Sequence, residues 1–128
     1  MHRNSSYIKF IKSPLFKQIL GALGLFIIFY LAVLLPGEKA NVLNIWDKLN
    51  HFIAFFTAAS YYHLISKKEW QINFSLFLYG VFLEIAQSFT NTREASSMDI
   101  VANSIGIFCA WICIKLLNNA YKKKLKGE

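Results

Sequence analysis

The sequence predicts an all-α membrane protein, a four-helix transmembrane bundle with both termini in the cytoplasm, and three observations carry that reading. Composition is the first: 55% of the 128 residues are hydrophobic and mean hydropathy is positive. That is too apolar for a soluble domain of this size, whose polar surface must outweigh its core. The second is a set of four apolar runs, each near the ~20 residues needed to cross the hydrocarbon of a bilayer. The third is the placement of the basic residues. Arg3, Lys9, Lys12 and Lys17 precede the first run without an acid, Lys67 and Lys68 separate the second from the third, and Lys122, Lys123, Lys124 and Lys126 close the chain. In the other two connections Lys39 and Lys48 are offset by Glu38 and Asp47, and Arg93 stands beside Glu94 and Asp99. Cytoplasmic segments carry the excess of lysine and arginine, so this pattern sets the topology. The net charge of +7 is thereby accounted for, and nucleic acid is not an expected partner.

Residues 1–128 read as one domain with spans at about 19–35, 49–65, 72–89 and 100–117. The first run follows basic residues, as in a secretory signal. It is nevertheless longer than the usual ~7–15-residue signal core and lacks a small-x-small cleavage site, so it reads as a retained span. Gly21 and Gly24 give it a packing face, and Pro36-Gly37 end it. Glu38 to Trp46 forms an outer loop, with Trp46 at interface depth. The second run closes on Tyr61, Tyr62 and His63, where the histidine reads as an interface anchor. Ser66 to Gln71 is a tight hairpin with Trp70 at a membrane boundary, and Thr90 to Met98 is a short polar outer loop. Asp99 is a natural N-cap for the last run, whose helix the tail from Asn118 continues. Cys109 and Cys113 lie one turn apart inside that run and read as small packing residues, not as a disulfide or zinc site. The phenylalanines read as lipid-facing bulk.

Polar groups are not scattered through these runs. Asp47, Lys48 and His51 open the second, Glu84 and Gln87 stand near the end of the third, and Arg93, Asp99 and Asn103 lead into the fourth. Each ionised group inside lipid is costly, so a cluster at one depth points to function. Asp47 and His51 are four apart, as are Asp99 and Asn103, while Glu84 and Gln87 are three apart, so each pair shares a helix face. Ala54 and Ala58, Gly80, and Gly106 and Ala110 continue those faces, and small residues mark where membrane helices approach closely. At ~1.5 Å per residue, His51 lies roughly 6 Å below Asp47 and Asn103 the same below Asp99, so all can reach one pocket in the outer leaflet. Arg93 is placed to fold over that pocket.

The runs Asp47-Lys48-Leu49-Asn50-His51-Phe52, Glu84-Ile85-Ala86-Gln87 and Arg93 to Gly106 resemble the VanZ-like family of small bacterial membrane proteins, over about residues 46–113. The resemblance implies a four-helix protein of the bacterial cytoplasmic membrane linked to the cell envelope. The family is named for a protein that accompanies glycopeptide resistance and raises resistance to teicoplanin. It implies no agreed reaction.

Two function classes follow. In the first, the pocket binds an anionic envelope lipid or lipoglycopeptide headgroup through Asp47, Lys48, Gln87, Arg93 and Asn103, with His51 beside them, and the protein's partners are membrane lipids. In the second, the same pocket catalyses hydrolysis or group transfer on a lipid-linked substrate: His51 is the general base or acid, Asp47 or Asp99 orients it, Glu84 serves from an apolar setting, and Arg93 stabilises developing charge. No cofactor is expected, and one histidine with dispersed carboxylates lacks a recognised metal-ligand spacing. Ser96 and Ser97 read as helix-start residues before nucleophiles, and no continuous polar path for a channel is evident.

Overall fold

The structure is a computed structural model that describes residues 9–34, 45–90 and 95–127. Among these residues it is all helical: α1 (Pro14–Phe29), continued by a π-helical turn (Tyr30–Leu34), then α2 (Ile45–Ile65), α3 (Glu69–Ser88) and α4 (Ser97–Lys126). Pro36-Gly37, most of the first expected outer loop and residues 91–94 of the second, Arg93 included, lie outside the described residues.

Every helix starts earlier than its apolar run. The α1 helix begins at Pro14, whose fixed φ suits the first helical position, and the Ser13 hydroxyl caps it by accepting the Phe16 N–H at 3.1 Å. Apolar counting passes over this first turn because it carries Lys17 and Gln18. At the other end of the chain, α4 runs on to Lys126 and stops at Gly127, which adopts φ 74° as a left-handed cap. Asp99 does not cap α4. Ser96 holds the N-cap position, and Asp99 sits in the first turn with its backbone N–H bonded to the Ser96 carbonyl at 2.9 Å. Its carboxylate is thereby released toward α2.

The core mixes small residues, such as Ala58, Ala59 and Ala110, with a few large ones, such as Phe55, Leu83 and Ile107. Helices α2 and α4 pack most closely, because Gly106 allows backbone contact: a Cβ there would come within 2.6 Å of the Phe52 carbonyl oxygen. Ala59 and Ala110 are fully buried at this crossing. Gly80 on α3 makes room for the ring of Phe55. Phe55 is therefore a core residue, 1% exposed, and not lipid-facing bulk like Phe26 or Phe82. His63 is likewise buried, its Nε2 2.8 Å from Asn73 Oδ1, and it ties α2 to α3 where an interface anchor was expected.

Helix α1 lies against α2, and its π-helical turn against α3. The Tyr61 hydroxyl donates to the Lys17 carbonyl at 2.7 Å, and the Tyr79 hydroxyl donates to the Leu25 carbonyl. Gly21 is buried against Tyr62, but an added Cβ at Gly24 would meet nothing within 4 Å. Only the first of the two expected packing glycines packs.

The exterior is the reverse of a soluble protein's. Leu15, Phe26, Leu34, Phe89, Leu116 and many other large apolar side chains are exposed, while buried positions hold polar groups such as His51, Glu84, Gln87, Asp99 and Asn103, an apolar surface far beyond what water tolerates. Two helices, Pro14–Leu34 with 21 residues and Ser97–Lys126 with 30, are by themselves long and apolar enough to cross a membrane. The other two are of similar length, 21 and 20 residues, but carry more polar groups.

Candidate functional site

Those polar groups converge where α2, α3 and α4 meet. His51, on the stripe of α2 that continues through Phe55 and Ala59, is buried. Its Nδ1 lies 3.0 Å from Asn103 Oδ1 on α4 and 4.0 Å from Glu84 Oε1 on α3. Its Nε2 lies 3.8 Å from Asp99 Oδ2. Lys48, one turn before His51 on α2, brings its ammonium to 3.6 Å from Asp99 Oδ1. Asp47, His51 and Asp99 each offer a ligand atom within 4.8 Å of the others, so the fold gathers a possible metal-ligand set that sequence spacing did not reveal. Glu84 Oε2 accepts the backbone N–H of Ser96 at 2.9 Å, which fastens the entrance of α4 to α3.

Glu84 Oε1, Asp99 Oδ1 and Asn103 Nδ2 are buried and lack a hydrogen-bond partner among the described residues. An unsatisfied buried polar atom costs about 1–3 kcal/mol, more when charged. Glu84, Asp99 and Asn103 are each less than 5% exposed, so the expense falls on groups that water does not reach freely. Such concentrated cost is characteristic of sites kept for chemistry or recognition.

Asp47, Lys48, His51, Glu84, Asp99 and Asn103 thus come together. Gln87 is different: its amide donates to the Ala32 carbonyl in the π-helical turn at 2.8 Å, so it braces the end of α1. Arg93 and its expected position over the pocket lie outside the described residues. Ser96 enters through its backbone; its hydroxyl makes no capping bond.

Asp47 and His51 of this cluster also border a cavity. A groove of about 770 Å³ runs between α1 and α2, bordered at one end by Asp47, Asn50 and His51 and along its length by residues such as Gly24, Ile28, Ala54 and Thr57. It extends as far as Tyr61 and Tyr62, about 22 Å along α2 at the helical rise. Asn50 carries no charge to mark it in the sequence, but its place three residues after Asp47 puts it on the same face.

A helical chain with a lipid-compatible exterior and a buried histidine–carboxylate cluster belongs to the class of helical membrane proteins. More particularly, it belongs to the VanZ/LLP1 family, whose model matches residues 3–118. Membership points to a membrane protein linked to the cell envelope or to antibiotic resistance. No curated protein and no solved structure matches the chain.

Proposed function

We propose that the chain crosses the bacterial cytoplasmic membrane four times, with both termini inside, and that its polar cluster opens in the outer leaflet to bind one envelope lipid or lipoglycopeptide. The single observation that carries this reading is the α1–α2 groove, apolar along its length and polar at the Asp47–Asn50–His51 end. An amphiphile fits that arrangement: the chain lies in the groove while the headgroup meets the polar end. The groove is longer than the ~15 Å of one leaflet, half the hydrocarbon thickness, which suits a long chain. Asp47 and Asn50 would receive hydroxyl or amine donors of the headgroup. Its anionic group would fall to Lys48, whose 3.6 Å ion pair with Asp99 is loose enough to exchange, and to Arg93.

Gly24 supplies the test, since a side chain there enters open space. Gly24→Phe should fill the groove while leaving the fold intact. Lipid extracted from purified protein and identified by mass spectrometry should be lost from the variant and present in wild type; equal retention would refute the reading.

A second reading, an intramembrane hydrolase or transferase, is favoured by the surroundings of His51. With Asn103 Oδ1 accepting from Nδ1–H, Nε2 and the Asp99 carboxylate 3.8 Å away are both acceptors unless a proton is shared between them. That is the property an acid–base centre needs. In this reading envelope lipid extract is converted over time by wild type, and His51→Ala abolishes conversion while leaving retention.

A further inference from the structure

The other end of the bundle holds a second cavity, of about 620 Å³, between the start of α1 and the α2–α3 hairpin. Lys12 and Lys17 border it from one side and Lys68 from the other, with Ser66 and Gln71 between them. Its apolar lining includes Leu25, Ile72 and the buried Leu76. No acid lines it among the described residues.

The acid adjoining Lys68 in sequence is engaged elsewhere. Glu69, next to Lys68 in sequence, accepts the Trp111 indole N–H at 2.7 Å and lies 3.8 Å from the Lys115 ammonium, both on α4. Among the described residues, Lys12, Lys17 and Lys68 therefore have no ion pair, although they share one cavity. Topology marking explains why lysines occur at this end. It does not explain why lysines from two separate segments converge on one concave site whose neighbouring carboxylate is committed elsewhere.

Three lysines without an ion pair among the described residues, a serine and a glutamine, beside Leu25, Ile72 and Leu76, match one ligand chemistry, a phosphate ester on an apolar chain. We propose that this cavity binds the phosphate headgroup of an anionic phospholipid, with Lys12, Lys17 and Lys68 around the phosphate and the lipid's first methylenes against Leu25, Ile72 and Leu76. The site is separate from the His51 cluster, and the lysines that argue for it take no part in the reading given for that cluster. Leu25 and Tyr62 line both cavities.

Native mass spectrometry of the full-length protein in non-ionic detergent, titrated with dioleoyl phosphatidylglycerol, tests it. Wild type should retain one molecule under conditions that strip dioleoyl phosphatidylcholine. The combined Lys12→Gln, Lys17→Gln, Lys68→Gln variant should weaken retention about tenfold or more, since each lysine near an anionic lipid contributes to attraction. Removing the same charge from the tail, by Lys122→Gln, Lys123→Gln and Lys124→Gln, should leave it unchanged. Equal losses in the two glutamine variants, or equal retention of phosphatidylcholine by wild type, would overturn the proposal. Displacement of the lipid by millimolar inorganic phosphate would overturn it in favour of a soluble phosphate. Should the glutamine variant lose helicity, the charge-preserving Lys12→Arg, Lys17→Arg, Lys68→Arg variant decides: lipid retained supports the site, and lipid lost from a helical protein rejects it.

Discussion

Asn103 Oδ1 stands 3.0 Å from His51 Nδ1, and both residues are buried. The contact fixes more than position. A neutral ring that donates to the amide oxygen carries its proton on Nδ1 and turns the Nε2 lone pair to Asp99, whereas a ring that also shares a proton with Asp99 keeps both contacts.

Replacing Asn103 by alanine removes that acceptor and leaves a buried N–H unpaired, at an expected cost of about 1–3 kcal/mol. The apparent melting temperature in detergent should fall accordingly. An unchanged value would mean that the imidazole finds another partner and that Asn103 does not set its proton.

Two glycines should respond in opposite ways to the same added methyl group. In Gly106→Ala the Cβ would press to 2.6 Å from the Phe52 carbonyl, forcing α2 and α4 apart, and overpacking of this kind costs about 1–3 kcal/mol. Gly24→Ala meets nothing and should be neutral or stabilising by up to ~1 kcal/mol through helix propensity. Thermal unfolding of the two variants side by side checks the contrast. If both melt alike, the close α2–α4 crossing is not the contact that limits stability.

Gln87→Leu should loosen the end of α1 and spare the rest. The variant keeps the volume roughly but loses the amide that holds the Ala32 carbonyl at 2.8 Å. Hydrogen exchange is the suitable probe: amides of Tyr30–Leu34 should exchange faster while those of α4 around Gly106 stay protected. Uniform acceleration, or none, would contradict a local brace.

The proposed topology is checked by cysteine labelling in intact cells, after Cys109 and Cys113 are changed to alanine. Ser5→Cys and Glu128→Cys should react only once the cytoplasmic face is opened, whereas Asn91→Cys should react from outside. Gly127 is unsuited as a labelling position, because its φ of 74° strains any side chain. Labelling of Glu128→Cys in unopened cells would refute the four-span arrangement.

Much of the polar site was legible because helical spacing constrains direction. Asp47 with His51 and Asp99 with Asn103 share faces whatever the surroundings, and Gly80 and Gly106 announce where those faces meet a neighbour. Other signals were present but outweighed by residue type. Phe55 and His63 fall four and twelve residues after His51, on the same buried stripe, yet a phenylalanine suggests lipid and a terminal histidine suggests an interface. Gly24 could not be separated from Gly21, since a glycine is equally compatible with a packed contact and an empty groove. The attachment of Gln87 to Ala32 depends on a π-helical turn, an irregularity that periodicity does not encode. Apolar periodicity places a helix start too late where the first turn is polar, as at Lys17 and Asp99.

Leu25 and Tyr62 form a partition shared by the two cavities, and a shared partition makes their contents mutually dependent. An occupant that pushes Tyr62 one way changes the room on the far side, so the free energy of filling one compartment contains a contribution from the other. That contribution is the same whichever compartment fills first, because affinity is a state function. Any preference of the Asp47–His51 end for a loaded or empty lysine end must therefore be returned in equal measure.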